Sequence, residues 1–63
     1  MIKRGDIVQI EIDHYDVVGN VKKAWHFRGE KYIRMIILLT NSPLLKPGEI
    51  HTFIGRRTKV VKS

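Results

Sequence analysis

Lys22, Lys23 and Arg28 place three permanent cations within three residues of Trp25, the only tryptophan, and His26 adds a titratable ring beside it. A flat ring can stack on a nucleic-acid base, an interaction worth roughly 1–3 kcal/mol per base. Lysine and arginine neutralise phosphates and release their counterions. The plainer use of the same Trp is packing, since a lone Trp in a small core is as often a filler as a platform. Lys31 and Arg34 flank Tyr32 and extend the basic stretch, although Tyr32 and Arg34 fall on a strand face with Ile36 and Leu38, which gives that face a structural reading too. Arg56 and Arg57 follow Gly55 and lead a second basic run with Lys59 and Lys62, and a guanidinium fork suits a pair of phosphate oxygens. A solvated face is the competing reading of that run. The candidate nucleic-acid-binding set is therefore Lys22, Lys23, Trp25, Arg28, Lys31, Arg34, Arg56 and Arg57.

Other chemistries find less support. Without cysteine there is no disulfide, thiolate metal site or Cys nucleophile. His14, His26 and His51 are twelve and then twenty-five residues apart, which matches no short ligand spacing, so no metal site is expected. Ser42 and Ser63, the only serines, lack a nucleophile context. Asp13 and Asp16 could form a carboxylate pair, but a chain this short offers little pocket to desolvate them. Neither an enzyme nor a cofactor is expected.

Charge is divided unevenly along the chain. Residues 1–20 carry two basic residues against four acids, and residues 21–63 carry ten against two. The net +6 favours acidic partners, either nucleic acid or an acidic protein surface. The longest apolar run, Met35-Ile36-Ile37-Leu38-Leu39, falls far short of the roughly 18–20 residues that span a bilayer. Met1-Ile2-Lys3-Arg4 leads into no apolar segment and does not read as a signal peptide. The expectation is a single cytoplasmic domain over residues 1–63, with no membrane contact.

The elements that must position these residues all read as strands. Val8, Ile10 and Ile12 alternate with Gln9 and Glu11 from Asp6 to Ile12, and Asp13 to Asp16 reads as a loop. Val17 to Phe27 alternates again, with Val21, Trp25 and Phe27 sharing a face with Lys23. A Lys among apolar neighbours predicts a bulge, or a Trp25 face that is the outside. Arg28 to Lys31 reads as a tight hairpin, Tyr32 to Thr40 as a central strand apolar on nearly both faces, and Leu44 and Leu45 as a loop that plugs the core. Ile50 to Ile54 and Thr58 to Lys62 complete the set. No capping box precedes a helical apolar pattern. Five short strands predict an all-β fold, a five-stranded antiparallel barrel, because closure removes sticky edges.

The opening Arg4-Gly5-Asp6-Ile7-Val8, the step Val18-Gly19-Asn20-Val21 and the closing Thr58-Lys59-Val60-Val61-Lys62 resemble the SH3-like barrel class, with a layout similar to KOW-type modules of ribosomal and transcription proteins. A KOW motif usually carries a second Gly, which Asp16-Val17-Val18-Gly19 does not supply. Lys22-Lys23-Ala24-Trp25 with Met35 downstream is similar to the seven-kilodalton chromatin proteins of crenarchaea, which lay a Trp-bearing sheet in the DNA minor groove; their C-terminal helix has no counterpart here. The resemblance implies an SH3-like barrel that binds DNA or RNA with little sequence specificity, since no helix is available to read a major groove. The alternative is a protein-interaction module that docks on a larger nucleoprotein or polymerase-type complex, with Asp13 to Asp16 as the long binding loop and Tyr15, Trp25 and Tyr32 as its aromatic contacts. The apolar pair Ile36 and Leu38 leaves dimerisation open.

Overall fold

The alternation of Val8, Ile10 and Ile12 becomes the first of five strands in the structure, a computed structural model that describes residues 1–63. The strands are β1 (Ile7–Ile12), β2 (Tyr15–Phe27), β3 (Glu30–Thr40), β4 (Ile50–Ile54) and β5 (Thr58–Lys62), and there is no helix. Accordingly, no helix is long and apolar enough to cross a membrane. All pairings are antiparallel, in the order β4-β3-β2-β1-β5. The middle strand is thus β2 and not β3, although β3 is covered on both edges. β2 is the longest strand and pairs along its two halves with different lengths of β1 and β3.

Val8, Ile10, Val17, Val21, Ile33, Met35 and Ile37 form the buried core, with Ile2, Ile12, Ala24, Leu45 and Phe53 packed around it. Leu45 does plug the core from the β3–β4 loop, whereas Leu44 beside it points into solvent. Gly19 is needed where β2 crosses the core, because a Cβ there would run into the Met35 side chain and come within 2.8 Å of the Ile36 carbonyl. The Gly5-Asp6 step has a local explanation as well. The buried Asp6 carboxylate accepts the Lys3 N–H at 3.0 Å, while the Gly5 N–H donates to Val21 and the Val21 N–H to Asp6, which ties the start of the chain to β2.

Two hairpins are tighter than expected. Ile12 pairs with Tyr15, so the β1–β2 turn is only Asp13-His14, and both residues have positive φ (49° and 69°). Phe27 pairs with Glu30, so the β2–β3 turn is only Arg28-Gly29, again both positive (52° and 78°). Two-residue turns with left-handed dihedrals match the right-handed twist of the strands that they join. The loop expected over Asp13 to Asp16 is therefore corrected: Tyr15 and Asp16 already belong to β2, and no long binding loop exists there.

The closed barrel is also corrected. β4 and β5 lie at opposite edges of the sheet and do not pair. Between them, the Gly55 N–H donates to Lys31 on β3 and the Glu11 N–H on β1 donates to Arg57. The short link is thus held to both strands, and β5 is carried to β1 instead of folding back on β4.

Candidate nucleic-acid interface

The Arg28-Gly29 turn fixes which residues face each other. Counting back from it, Trp25 pairs with Tyr32 and Lys23 with Arg34, and these continue to Ile54 and Thr52 on β4. Successive strand residues point to opposite faces. Lys23, Trp25, Phe27, Tyr32 and Arg34 therefore share one side of the sheet, while Ala24, Ile33 and Phe53 share the core side.

A bulge makes this possible. The register shifts between Val21 and Lys23, leaving Lys22 without a direct partner on β3. Val21, before the bulge, points into the core opposite Met35, and the half-buried Trp25, after it, turns to the other face. Without the extra residue the alternation would put Val21 and Trp25 on the same face. This is the bulge that a Lys among apolar neighbours predicts.

On the outer face the Trp25 and Tyr32 rings stack, with centroids 5.7 Å apart and planes 15° from parallel. Lys23 Nζ and the Arg34 guanidinium carbon each lie 5.4 Å from the Trp25 ring centroid. At the turn, the Arg28 guanidinium lies 5.3 Å from the ring centroid of Phe27, which is itself 56% exposed. An aromatic face attracts a cation electrostatically, which orders the side chain while keeping its charge. Arg34 Nε also donates to Thr52 Oγ1 at 3.4 Å.

None of Lys22, Lys23, Arg28 or Arg34 is ion-paired. The chain's salt bridges are Arg56 with Glu30 at 2.9 Å, Arg57 with Glu11 at 3.1 Å, and His51 with Glu49 at 3.2 Å. The cations around the aromatic pair thus keep their full charge for a ligand.

The other expected residues are placed differently. Lys31 pairs with His26 and alternates with Tyr32, so both Lys31 and His26 turn to the opposite side of the sheet from Trp25. Lys31 and His26 border a hollow with Met1, Ile2 and Ala24 that reaches round to Trp25. Arg56 reaches Glu30, which stands on the Tyr32 side of β3, and binds one carboxylate oxygen through both Nε and a terminal nitrogen. Arg57 lies away from Trp25, against Glu11 on β1. The structure therefore gathers Lys22, Lys23, Trp25, Arg28 and Arg34 around one end of the β2–β3 ribbon, sets Arg56 at its border, and leaves Lys31 and Arg57 elsewhere. Phe27 and Tyr32 join the face without having been in the candidate set.

Three of the six acids lie at the other end of β2, where Glu11 and Asp16 line a hollow together with Arg57 and Lys59. Asp13 lies in the β1–β2 turn, and Glu11 and Asp16 pair directly beside it. The three histidines are dispersed over that turn, β2 and β4, and no group of three His, Asp or Glu side chains comes together. No protein-family model, curated protein or solved structure matches the chain.

Proposed function

We propose that the chain is a small SH3-like module that binds nucleic acid, with low sequence specificity and without catalysis, through the outer face of the β2–β3 ribbon. The observation that carries this reading is the stacked Trp25–Tyr32 pair with the unpaired cations Lys23 and Arg34 against the indole. Lys22, Lys23, Arg28 and Arg34 contact phosphates, and their counterions are released on binding. The exposed edges of the aromatic pair and Phe27 receive bases or wedge against them. An outward-facing Trp on a basic sheet is also what a minor-groove binder of the crenarchaeal type requires. The strand order, with β5 returning beside β1, supports the SH3-like assignment, and the absence of cysteine accords with a cytoplasmic setting.

Trp25 provides its own probe. Its fluorescence is followed while duplex DNA, single-stranded DNA and structured RNA are titrated at low and near-physiological salt. Saturable quenching that weakens steeply with salt is the expected result, and the tightest ligand names the subclass. A folded sample that responds to none of them at low salt rules the reading out.

A second reading rests on a separate observation. An apolar notch of about 200 Å3 lies between the β1–β2 turn and the β3–β4 loop, lined by Ile12, Tyr15, Val17, Leu44, Leu45 and Phe53. It would seat one apolar side chain of a protein partner beside Asp13 and Ser42, which also line it. Leu44→Asp would abolish such docking and leave nucleic-acid affinity unchanged.

A further inference from the structure

The two edges of the sheet are built differently. β5 carries Lys59 and Lys62 and is bulged at Val61 where its register on β1 breaks, features that discourage a further strand. β4 has none of them. Its sequence Ile50-His51-Thr52-Phe53-Ile54 contains no Lys, Asp, Glu or Pro, and its register on β3 is unbroken. Ile50 and Ile54 are 59% and 45% exposed. Beyond this edge the chain leaves an open cleft bounded by Glu11, Ile12, Asp13 and Arg57.

The backbone of β4 is poised for a partner. The Ile37 N–H donates to Glu49 and the Gly55 N–H donates to Lys31, so the groups bonded to β3 fall on odd-numbered residues. By the alternation of an antiparallel ladder, Ile50, Thr52 and Ile54 turn their N–H and C=O groups outward.

We infer that β4 pairs antiparallel with β4 of a second copy, about a twofold axis at Thr52. In this register the strand is its own complement. Ile50 meets Ile54 of the second copy, His51 meets Phe53, and Thr52 meets Thr52, all favourable cross-strand combinations. Every outward residue of β4 finds an outward residue opposite. Charge agrees as well: Glu49 falls opposite Gly55 of the second copy and beside its Arg56, and by symmetry this contact is made twice. The same operation on β5 would crowd lysines together. A twofold normal to the sheet at this edge also leaves both Trp25 faces on one side. The interface is isologous and closes as a dimer.

The pairing is tested without nucleic acid, so its outcome is independent of the proposed ligand. The chain has no cysteine, so Thr52→Cys introduces a single thiol. Opposed residues of a hydrogen-bonded antiparallel pair have Cα atoms about 5.5 Å apart, within disulfide reach. Mild oxidation of Thr52→Cys at micromolar protein is expected to give a covalent dimer, while Lys59→Cys on β5 stays monomeric. Sedimentation of the unmodified chain is expected to show a concentration-dependent dimer that Ile54→Lys removes with the fold intact by circular dichroism. A monomer at every concentration overturns the inference, as does cross-linking through Lys59→Cys that equals or exceeds that through Thr52→Cys.

Discussion

Trp25 and Tyr32 stand directly opposite each other across the β2–β3 ladder and stack at 5.7 Å, although they are seven positions apart in the sequence and on either side of a reversal of the chain. Both rings are on the outside of the sheet, where their stacking cannot be credited to filling the core. An aromatic pair of this geometry contributes about 0.5–1.5 kcal/mol beyond its buried area. It also presents a rigid edge flanked by Lys23 and Arg34.

Removing either ring is expected to weaken nucleic-acid binding. Trp25→Ala loses a stacking partner worth about 1–3 kcal/mol, or roughly 5- to 150-fold in affinity. Tyr32→Phe keeps the ring and should bind like the parent, whereas Tyr32→Ala should not. Anisotropy of a labelled oligonucleotide distinguishes the three, and equal affinities would remove the aromatic pair from the site.

The cations should separate into two groups. Lys22→Ala, Lys23→Ala and Arg34→Ala each remove an unpaired charge, and each should flatten the slope of log K against log salt by about 0.7–0.9. Arg57→Ala removes a charge already engaged by Glu11, 3.1 Å away, and should change the slope by much less. Titrations at four or five salt concentrations provide the comparison. A larger effect at Arg57 than at Lys23 would move the site to the β1–β5 side.

Gly19→Ala is expected to destabilise the fold without touching the outer face. The added methyl group would press on Met35 and the Ile36 carbonyl inside the core. Overpacking of this kind costs about 1–3 kcal/mol. For a domain of this size that corresponds to a fall in Tm of roughly 4 °C or more, read by thermal melting.

The β1–β2 turn offers the opposite change. His14 holds φ at 69°, a left-handed conformation that costs a non-glycine residue energy and glycine very little. His14→Gly should raise stability by about 0.5–1 kcal/mol, measured by urea denaturation. Unchanged or reduced stability would mean that the imidazole makes a compensating contact.

Acid should loosen the β3–β4 loop through Glu49. The hydrogen bond with His51 and the Lys46 backbone N–H hold its carboxyl below the ordinary carboxylate range. A lowered pKa in the folded chain gives stability that is present above the unfolded value and lost as pH falls through the folded one. Glu49→Gln should therefore lower stability near neutrality, where the parent's carboxylate is charged, and flatten the curve below about pH 4.5, so that the two proteins converge in acid. Melts between pH 3 and 7 check this.

Local pattern carried much of the fold. The bounds of β4 and β5 follow from Gly48, Gly55 and the turn residues around them, and alternation identifies the core face of β1, whereas β3, apolar on nearly both faces, leaves its core face open. The outward turn of Trp25 was one of two readings, and only the bulge at Lys22 decides between them. Tyr32 lies outside the candidate set because its strand face, shared with Ile36 and Leu38, also reads as structural, and a turn over Arg28 to Lys31 sets it opposite Phe27. Read as Arg28-Gly29, the same residues put Tyr32 opposite Trp25. The ion pairs of Arg56 with Glu30 and Arg57 with Glu11 join residues 26 and 46 positions apart, and no local pattern encodes them. Closure of the sheet was inferred from the need to hide edges, and β4 meets that need in no visible way.

β2 runs from the Asp13 turn, where Glu11 and Asp16 stand among Arg57 and Lys59, to the Arg28 turn. There Lys22, Lys23, Arg28 and Arg34 have no acidic partner, so the uncompensated positive charge lies toward one end of the strand. In the field of a polyanion such a body experiences a torque as well as a pull. It reorients during approach with the Arg28 turn leading and the Asp13 turn trailing. A larger share of encounters then begins with the aromatic face already turned to the ligand, so the arrangement of charge speeds productive collision even where it adds nothing to the final contact.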